Sequence, residues 1–404
     1  MKKYIFLIIL SGLIATTAPI KKIIITGNHI TENSVILNLL NHQIGDQIDI
    51  ALAIEDQLNL YQTDLFYDVI IQPADSMYYI YVFEKPKILP RPLVDKHDIL
   101  GWSYGGSLLF NNIKGQNKKL KFSTLTGKTT LYDATYTDPK LYATNDSLQI
   151  NVYKKYFTSI ENDYILNQLG VQTSISLPKI NNLHKLGISI QYEYNKLKFL
   201  TNNISENIYS LKTSLSYQKN TLSNKLLRGN ILYIDYSFIF LKKNYRNYSK
   251  IKLINQYYIP LIDNADAGRL VLKTQMILNF IKNIPTHNKI YIGAENYIRG
   301  YEVNPLLNNT AVQNRLKWNN IITTTIQLEI PLFQKNILNT ELLLFMDFGI
   351  GSNNYKIFDT ANKLRSHGFG IRYDIIKFGG VDLCFGLNPY GDKIFHVIVN
   401  FKNF

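Results

Sequence analysis

Cysteine is almost missing from this chain of 404 residues: Cys384 stands alone. A single thiol excludes an internal disulfide framework and any metal centre built on paired cysteines. Its surroundings, Val381 to Gly386, alternate like a strand, so Cys384 reads as a packed residue. Charge is also sparse. Only 18% of residues are Asp, Glu, Lys or Arg, against roughly 25% in ordinary soluble chains. No interior stretch approaches the ~20 apolar residues of a spanning helix. There is no Gly-rich lysine loop of the kind that cradles nucleotide phosphates. The chain has seven His, and none lies in a recognisable nucleophile motif. His367 and His396 fall on strand-like stretches, where a packed imidazole is the ordinary role. No cofactor is implied.

Aromatic residues, by contrast, are plentiful, with 29 Tyr and 20 Phe. Aromatic abundance with alternating rather than continuous apolarity suggests a membrane β-barrel. A large soluble all-β protein is the rival. The net charge of +14 admits nucleic acid, anionic lipid or acidic substrates as partners. The basic residues are scattered through turn-like tracts such as Leu241 to Ser249, and no nucleic-acid module is visible. They read as solvated loops and a polar interior, with outer-membrane lipid as a further contact.

Residues 1–18 read as a signal peptide. Lys2 and Lys3 precede the apolar segment Tyr4 to Ile14, and small residues follow up to Ala18. Residues 20–87 read as a small α+β domain. Lys21 to Thr26 is a strand that ends at Gly27-Asn28. Glu32 to His42 carries Val35, Ile36, Leu39 and Leu40 on one helical face. Asp49 can cap a second helix, with Ile50, Ile54, Leu58 and Tyr61 along one side. Two strands follow, Phe66 to Gln72 and Met77 to Glu84. Glu55, Asp56 and Asp64 are expected on solvated faces. Pro86, Pro90 and Pro92 mark 88–97 as a stiff linker.

From residue 98 to 404 the chain reads as about sixteen strands, the even number that a closed barrel requires. Gly101 to Phe110 is taken as the first and Lys393 to Phe401 as the last, with Lys289 to Gly293 counted among them. Side chains alternate across a strand. In 341–350 that sets Leu342, Leu344, Met346, Phe348 and Ile350 outward, and Leu343, Phe345, Asp347 and Gly349 inward. In 321–332 Thr323, Thr325, Gln327 and Glu329 face inward. In 365–373 Arg372 faces inward and Phe369 outward. In the last strand Phe395, Val397, Val399 and Phe401 face outward.

The order of the small domain, with Gly27-Asn28, Gly45, Leu60, Phe66 and Val69 in place, resembles a POTRA domain. A more specific likeness comes later. Ile298, Arg299, Gly300 and Tyr301 form a loop motif. Glu329 and then Phe345, Asp347 and Gly349 follow on successive strands. That order resembles the BamA/TamA family of outer-membrane assembly factors and its relatives, the two-partner secretion transporters. Gly101 to Gly115, Thr135 to Pro139 and His367 to Tyr373 are similar to other stretches of the family.

The resemblance implies that Arg299 folds into the barrel and pairs with Asp347 and Glu329. It implies a seam between first and last strands, here Gly101, Gly105 and Gly106 facing Phe395, Asn400 and Phe401. It places the barrel in the bacterial outer membrane and the POTRA domain in the periplasm. Unfolded outer-membrane client proteins are the implied partners, with accessory lipoproteins at the POTRA domain a further class. The implied activity is client capture, folding and insertion, without enzymatic chemistry. The alternative is a two-partner-type secretion pore for an extended polypeptide. A lipid hydrolase and a passive porin are weaker rivals. The chain departs from its best-known relatives in having one POTRA-like unit.

Overall fold

The computed structural model describes residues 19–401, apart from 98–100, 142–145, 160–163, 178–182, 222–227, 243–244, 263–267, 282–283, 292–297, 302–316, 336–337, 354–361 and 376–378. The signal segment lies outside the described residues. The chain divides into two units, residues up to 88 with 110–118, and 89–109 with 119 onward.

The first unit holds a three-stranded sheet. Met77–Glu84 is central, with Lys22–Thr26 parallel on one side and Phe66–Ala74 antiparallel on the other. Alternation aims Tyr78, Ile80 and Val82 into the core. Phe66 and Val69 both reach that core although they stand an odd three positions apart, because the pairing slips between Phe66 and Asp68 and resets the parity. Asp49 caps the helix Ile50–Gln62 by accepting the Ala51 and Leu52 N–H groups.

That helix corrects two expectations. Its buried residues are Ala53, Asp56 and Leu60, while Ile50, Ile54, Leu58 and Tyr61 stand exposed. Small Ala53 lets the helix lie close to the sheet, and the bulkier stripe then faces away. Asp56 is not solvated but fully buried. It is held by the Asn41 N–H at 2.5 Å, His42 Nδ1 at 2.7 Å and the Tyr78 hydroxyl at 2.8 Å. His42 Nε2 accepts the Asp49 N–H at 3.1 Å, so its proton sits on Nδ1, facing Asp56. Burial and the Asp56 carboxylate push the Tyr78 phenol far above its usual range, so it remains a donor. The first helix is also shorter than expected, covering only Asn33–Leu37.

The second unit is one sixteen-stranded, nearly closed antiparallel barrel. Its strands pair in sequence order, from Ile88–His97 at one end of the sheet to Lys393–Phe401 at the other. The sixteen are not those first assigned. Residues 88–97, expected as a linker, form the edge strand. Ile290–Tyr291, expected within a barrel strand, pairs instead with Lys317–Trp318 in a separate ladder. The two reassignments offset each other in the count.

Prolines fit in a sheet at edges, strand starts and bulges, and an edge suits them because one row of its N–H groups has no partner. The Asn111 N–H donates to the Lys87 carbonyl, which directs odd-numbered residues of this strand towards its neighbour. Pro90 and Pro92 therefore present their missing donors to the open edge. The expected inward and outward sets follow. Leu344, Met346 and Phe348 are exposed, while Leu343, Phe345 and Asp347 are buried on the opposite face. Thr323, Gln327 and Glu329 are buried, and Ile326 and Leu332 exposed.

Candidate functional site

Residues 298–301 lie against the interior wall of the barrel. A guanidinium in such a place needs its donors matched, because an unpaired buried charge is costly. Arg299 is 7% exposed. Its Nε donates to Asp347 Oδ2 at 3.0 Å, and its Nη2 to Asp347 Oδ1 at 2.9 Å. This two-point contact has the fork geometry that favours Arg over Lys. The Arg299 backbone N–H adds a third bond to Asp347, at 3.0 Å. Thr325 Oγ1 donates to the same carboxylate at 2.9 Å. The Phe345 ring lies beneath the guanidinium, its centroid 3.5 Å from Cζ.

Glu329, expected as a second partner of Arg299, does not touch it. Gln327 stands between them. Arg299 Nη1 donates to Gln327 Oε1 at 2.7 Å, and Gln327 Nε2 donates to Glu329 Oε1 at 2.7 Å. Residues 327 and 329 share the inward face of Asn320–Lys335, and the loop descends only as far as the first. Glu329 pairs instead with Arg269 and with Arg372. Arg372 also grips Asp382 through two bonds of 2.8 and 3.0 Å and reaches Glu341 at 3.2 Å. Strand register brings these groups together: Arg269 sits opposite Glu329, and Arg372 lies between Glu341 and Asp382. The parity of Arg372 pointed inward, but its partners were not foreseen, since they depend on which strands are neighbours.

The rest of the motif fixes the loop by close approach. A Cβ on Gly300 would lie 2.4 Å from Ser366 Cβ, and one on Gly386 would lie 2.0 Å from the Arg299 carbonyl oxygen. Only glycine fits at both positions. Asn388 Nδ2 donates to the Gly300 carbonyl at 2.9 Å, and His396 Nε2 to the Arg299 carbonyl at 2.7 Å. His396 is thus a packed donor on the last strand. The Tyr301 hydroxyl donates to the Arg365 carbonyl at 3.2 Å. Its ring packs with Ile298, Ile277, Trp318, Ile321 and Leu364. Gly349 is buried further along the Asp347 strand, and Cys384 packs with Leu343 and Phe345. The loop is therefore tied to the wall through residues of five consecutive strands, and its polar groups are spent on holding it there.

The proposed seam residues fall in two places. Phe395, Asn400 and Phe401 are on the terminal strand, with Phe395 exposed. Gly101, Gly105 and Gly106 are on Gly101–Ile113, the second strand of the sheet, and so do not form its edge. Gly105 has another reason to be glycine. A Cβ there would lie 1.8 Å from the Thr124 carbonyl oxygen, on the neighbouring strand.

Two family models match the chain. One, the Omp85 superfamily domain, covers residues 112–393. The other, a POTRA model described as a surface antigen variable number repeat, covers residues 18–85. Among proteins with curated descriptions, none matches in sequence. Several solved structures share the fold. BamA from Haemophilus ducreyi lacking POTRA domains 1–3 has a TM-score of 0.69 at 14% identity, over 95% of this chain and 84% of that one. CdiB from Escherichia coli has a TM-score of 0.64 at 13% identity, over 95% and 75%. CdiB from Acinetobacter baumannii has a TM-score of 0.62 at 14% identity, over 96% and 74%.

Proposed function

This chain belongs to the Omp85 superfamily of outer-membrane proteins, and on that premise we propose that it captures unfolded β-barrel proteins and helps to fold and insert them into the outer membrane. The observation that carries the reading is the pair of end strands of the sheet, between which no ladder is described. The strand order begins at Ile88–His97 and ends at Lys393–Phe401. Unpaired strand edges accept further strands through main-chain hydrogen bonds, without reading much sequence. The small domain adds two more edges, at Lys22–Thr26 and Phe66–Ala74. The Arg299 latch serves as a lock for the loop and performs no chemistry. Its guanidinium is matched to Asp347 and Gln327 and its carbonyl to His396, all within the wall. Folding a client barrel is downhill, so no energy source is required. The POTRA domain is the natural docking place for accessory lipoproteins.

A second reading, a pore for an extended polypeptide, is favoured by the fold likeness to CdiB. In this reading the lumen, not the seam, would carry the cargo, and the latched loop would have to leave its seat. Reconstitution separates the two. The purified chain is placed in liposomes, and the folding of an unfolded client barrel is followed, with an Arg299→Ala variant in parallel. Faster insertion that the substitution weakens supports the insertase. No acceleration, together with steady conductance and passage of an extended chain, supports the pore.

A further inference from the structure

Two adjoining cavities mark the outer wall of the barrel. The larger, about 930 Å³, is a groove. Gly106 and Ala134 keep its floor low, while Leu108, Phe122, Val152 and Leu169 stand around it, exposed. Pro90 and Pro92 of the edge strand form one side. The smaller, about 220 Å³, is lined by Thr130, Tyr132, Lys154, Tyr156 and Asn167. Tyr132 and Lys154 line both. The two are therefore parts of one site, mainly apolar along its length, with Arg91 and Asp133 also in its lining and Lys154 at the shared end.

Strand direction gives its depth. The chain enters the barrel at Ile88 from the periplasmic domain, so Asp146–Ser159 and His184–Phe199 both run outward to the external side. Lys154 and Tyr156 lie towards the external end of their strand. Asn167 sits opposite both Tyr156 and Lys196, and Ile165 sits opposite Lys198. Lys154, Lys196 and Lys198 are all exposed on the same outward face. Their outward neighbours Thr130, Tyr132, Asn167 and Tyr194 include no carboxylate. An outward lysine in the hydrocarbon is costly, whereas one at headgroup level is favoured by an anion beside it.

We propose that this face binds a phosphate-bearing lipid of the outer leaflet. Its phosphate lies among Lys154, Lys196 and the Tyr132 and Tyr156 hydroxyls. Its acyl chain fills the groove beside the edge strand. Charge complementarity selects the occupant: a neutral lipid would leave the lysines unmatched, and a soluble anion would leave the groove empty. Because Pro90 and Pro92 wall the groove, binding also depends on the edge strand being in place.

The test is native mass spectrometry of the full chain in detergent, titrated with bisphosphorylated lipid A and with the same lipid after removal of both phosphates. The phosphorylated form is expected to bind at least ten-fold more tightly. Lys154→Gln with Lys196→Gln brings the two forms together, and Ala134→Phe weakens both by filling the groove. Faster migration of the unheated than of the boiled protein on gels verifies that each variant forms its barrel. Equal binding of the two lipids overturns the proposal. So does unchanged binding by both folded variants, or complete displacement of the lipid by excess inorganic phosphate.

Discussion

At the scale of single residues, the latch is governed by the cost of a buried charge that loses its counterpart. Asp347 accepts bonds from the Arg299 side chain and backbone and from Thr325. Truncating one member of such a pair costs about 3–5 kcal/mol. Asp347→Ala is therefore expected to release residues 298–301 from the wall, read as new protease cleavage there in an otherwise intact barrel. The double exchange Arg299→Asp with Asp347→Arg should restore part of the protection lost in either single variant. Absence of any restoration would sink direct pairing as the source of the latch. Gly386→Ala tests the same seat without touching a charge. Its methyl would press on the Arg299 carbonyl, and overpacking of this kind costs about 1–3 kcal/mol. The loop should become cleavable while the barrel keeps its mobility on gels. The pair was expected from the family resemblance of the Arg-Gly loop motif, and the inward parity of Asp347 along its own strand agreed with it. Glu329 was misassigned as a direct partner because parity gives a face and not a depth, and Gln327 occupies the intervening position.

Among the elements, the small domain shows where periodicity misleads. Four apolar residues on one side of Ile50–Gln62 suggested a core face, yet the buried side is narrow and includes a carboxylate. The buried side could not be read from hydrophobicity, since Asp56 is acceptable there only because His42, Tyr78 and Asn41 supply donors from elsewhere. Asp56→Ala should leave those donors unmatched at a cost on the order of 3 kcal/mol. In a domain this small that is enough to open it. Limited proteolysis of the full chain should then cut within residues 20–87 before the barrel. Ile54→Lys, on the exposed stripe, should change that pattern little. The edge strand was missed for a related reason. Prolines argue against a central strand, and 88–97 was taken for a linker, but prolines are tolerated at an edge. The strand count still came out even, because a segment wrongly counted made up for a segment overlooked.

On the scale of the whole molecule, the seam is where two sheet ends meet without a described ladder between them. Pro90 and Pro92 remove two neighbouring donors from one end. Pro90→Ala with Pro92→Ala returns them, and should strengthen pairing across that edge. If client strands dock there, the variant should hold a client longer, seen as a higher yield of photocrosslinks from position 94 to the client's final strand. An unchanged yield would argue that docking takes place elsewhere. The even number of strands carries one more consequence. In an antiparallel barrel of sixteen, the two end strands run in opposite directions. A foreign strand that replaces Lys393–Phe401 beside Ile88–His97 must therefore copy its heading, arriving with its own carboxyl-terminal end towards the periplasm. If client strands dock at the seam as proposed, arithmetic alone would impose a polarity filter, sorting them by direction before any side chain is recognised.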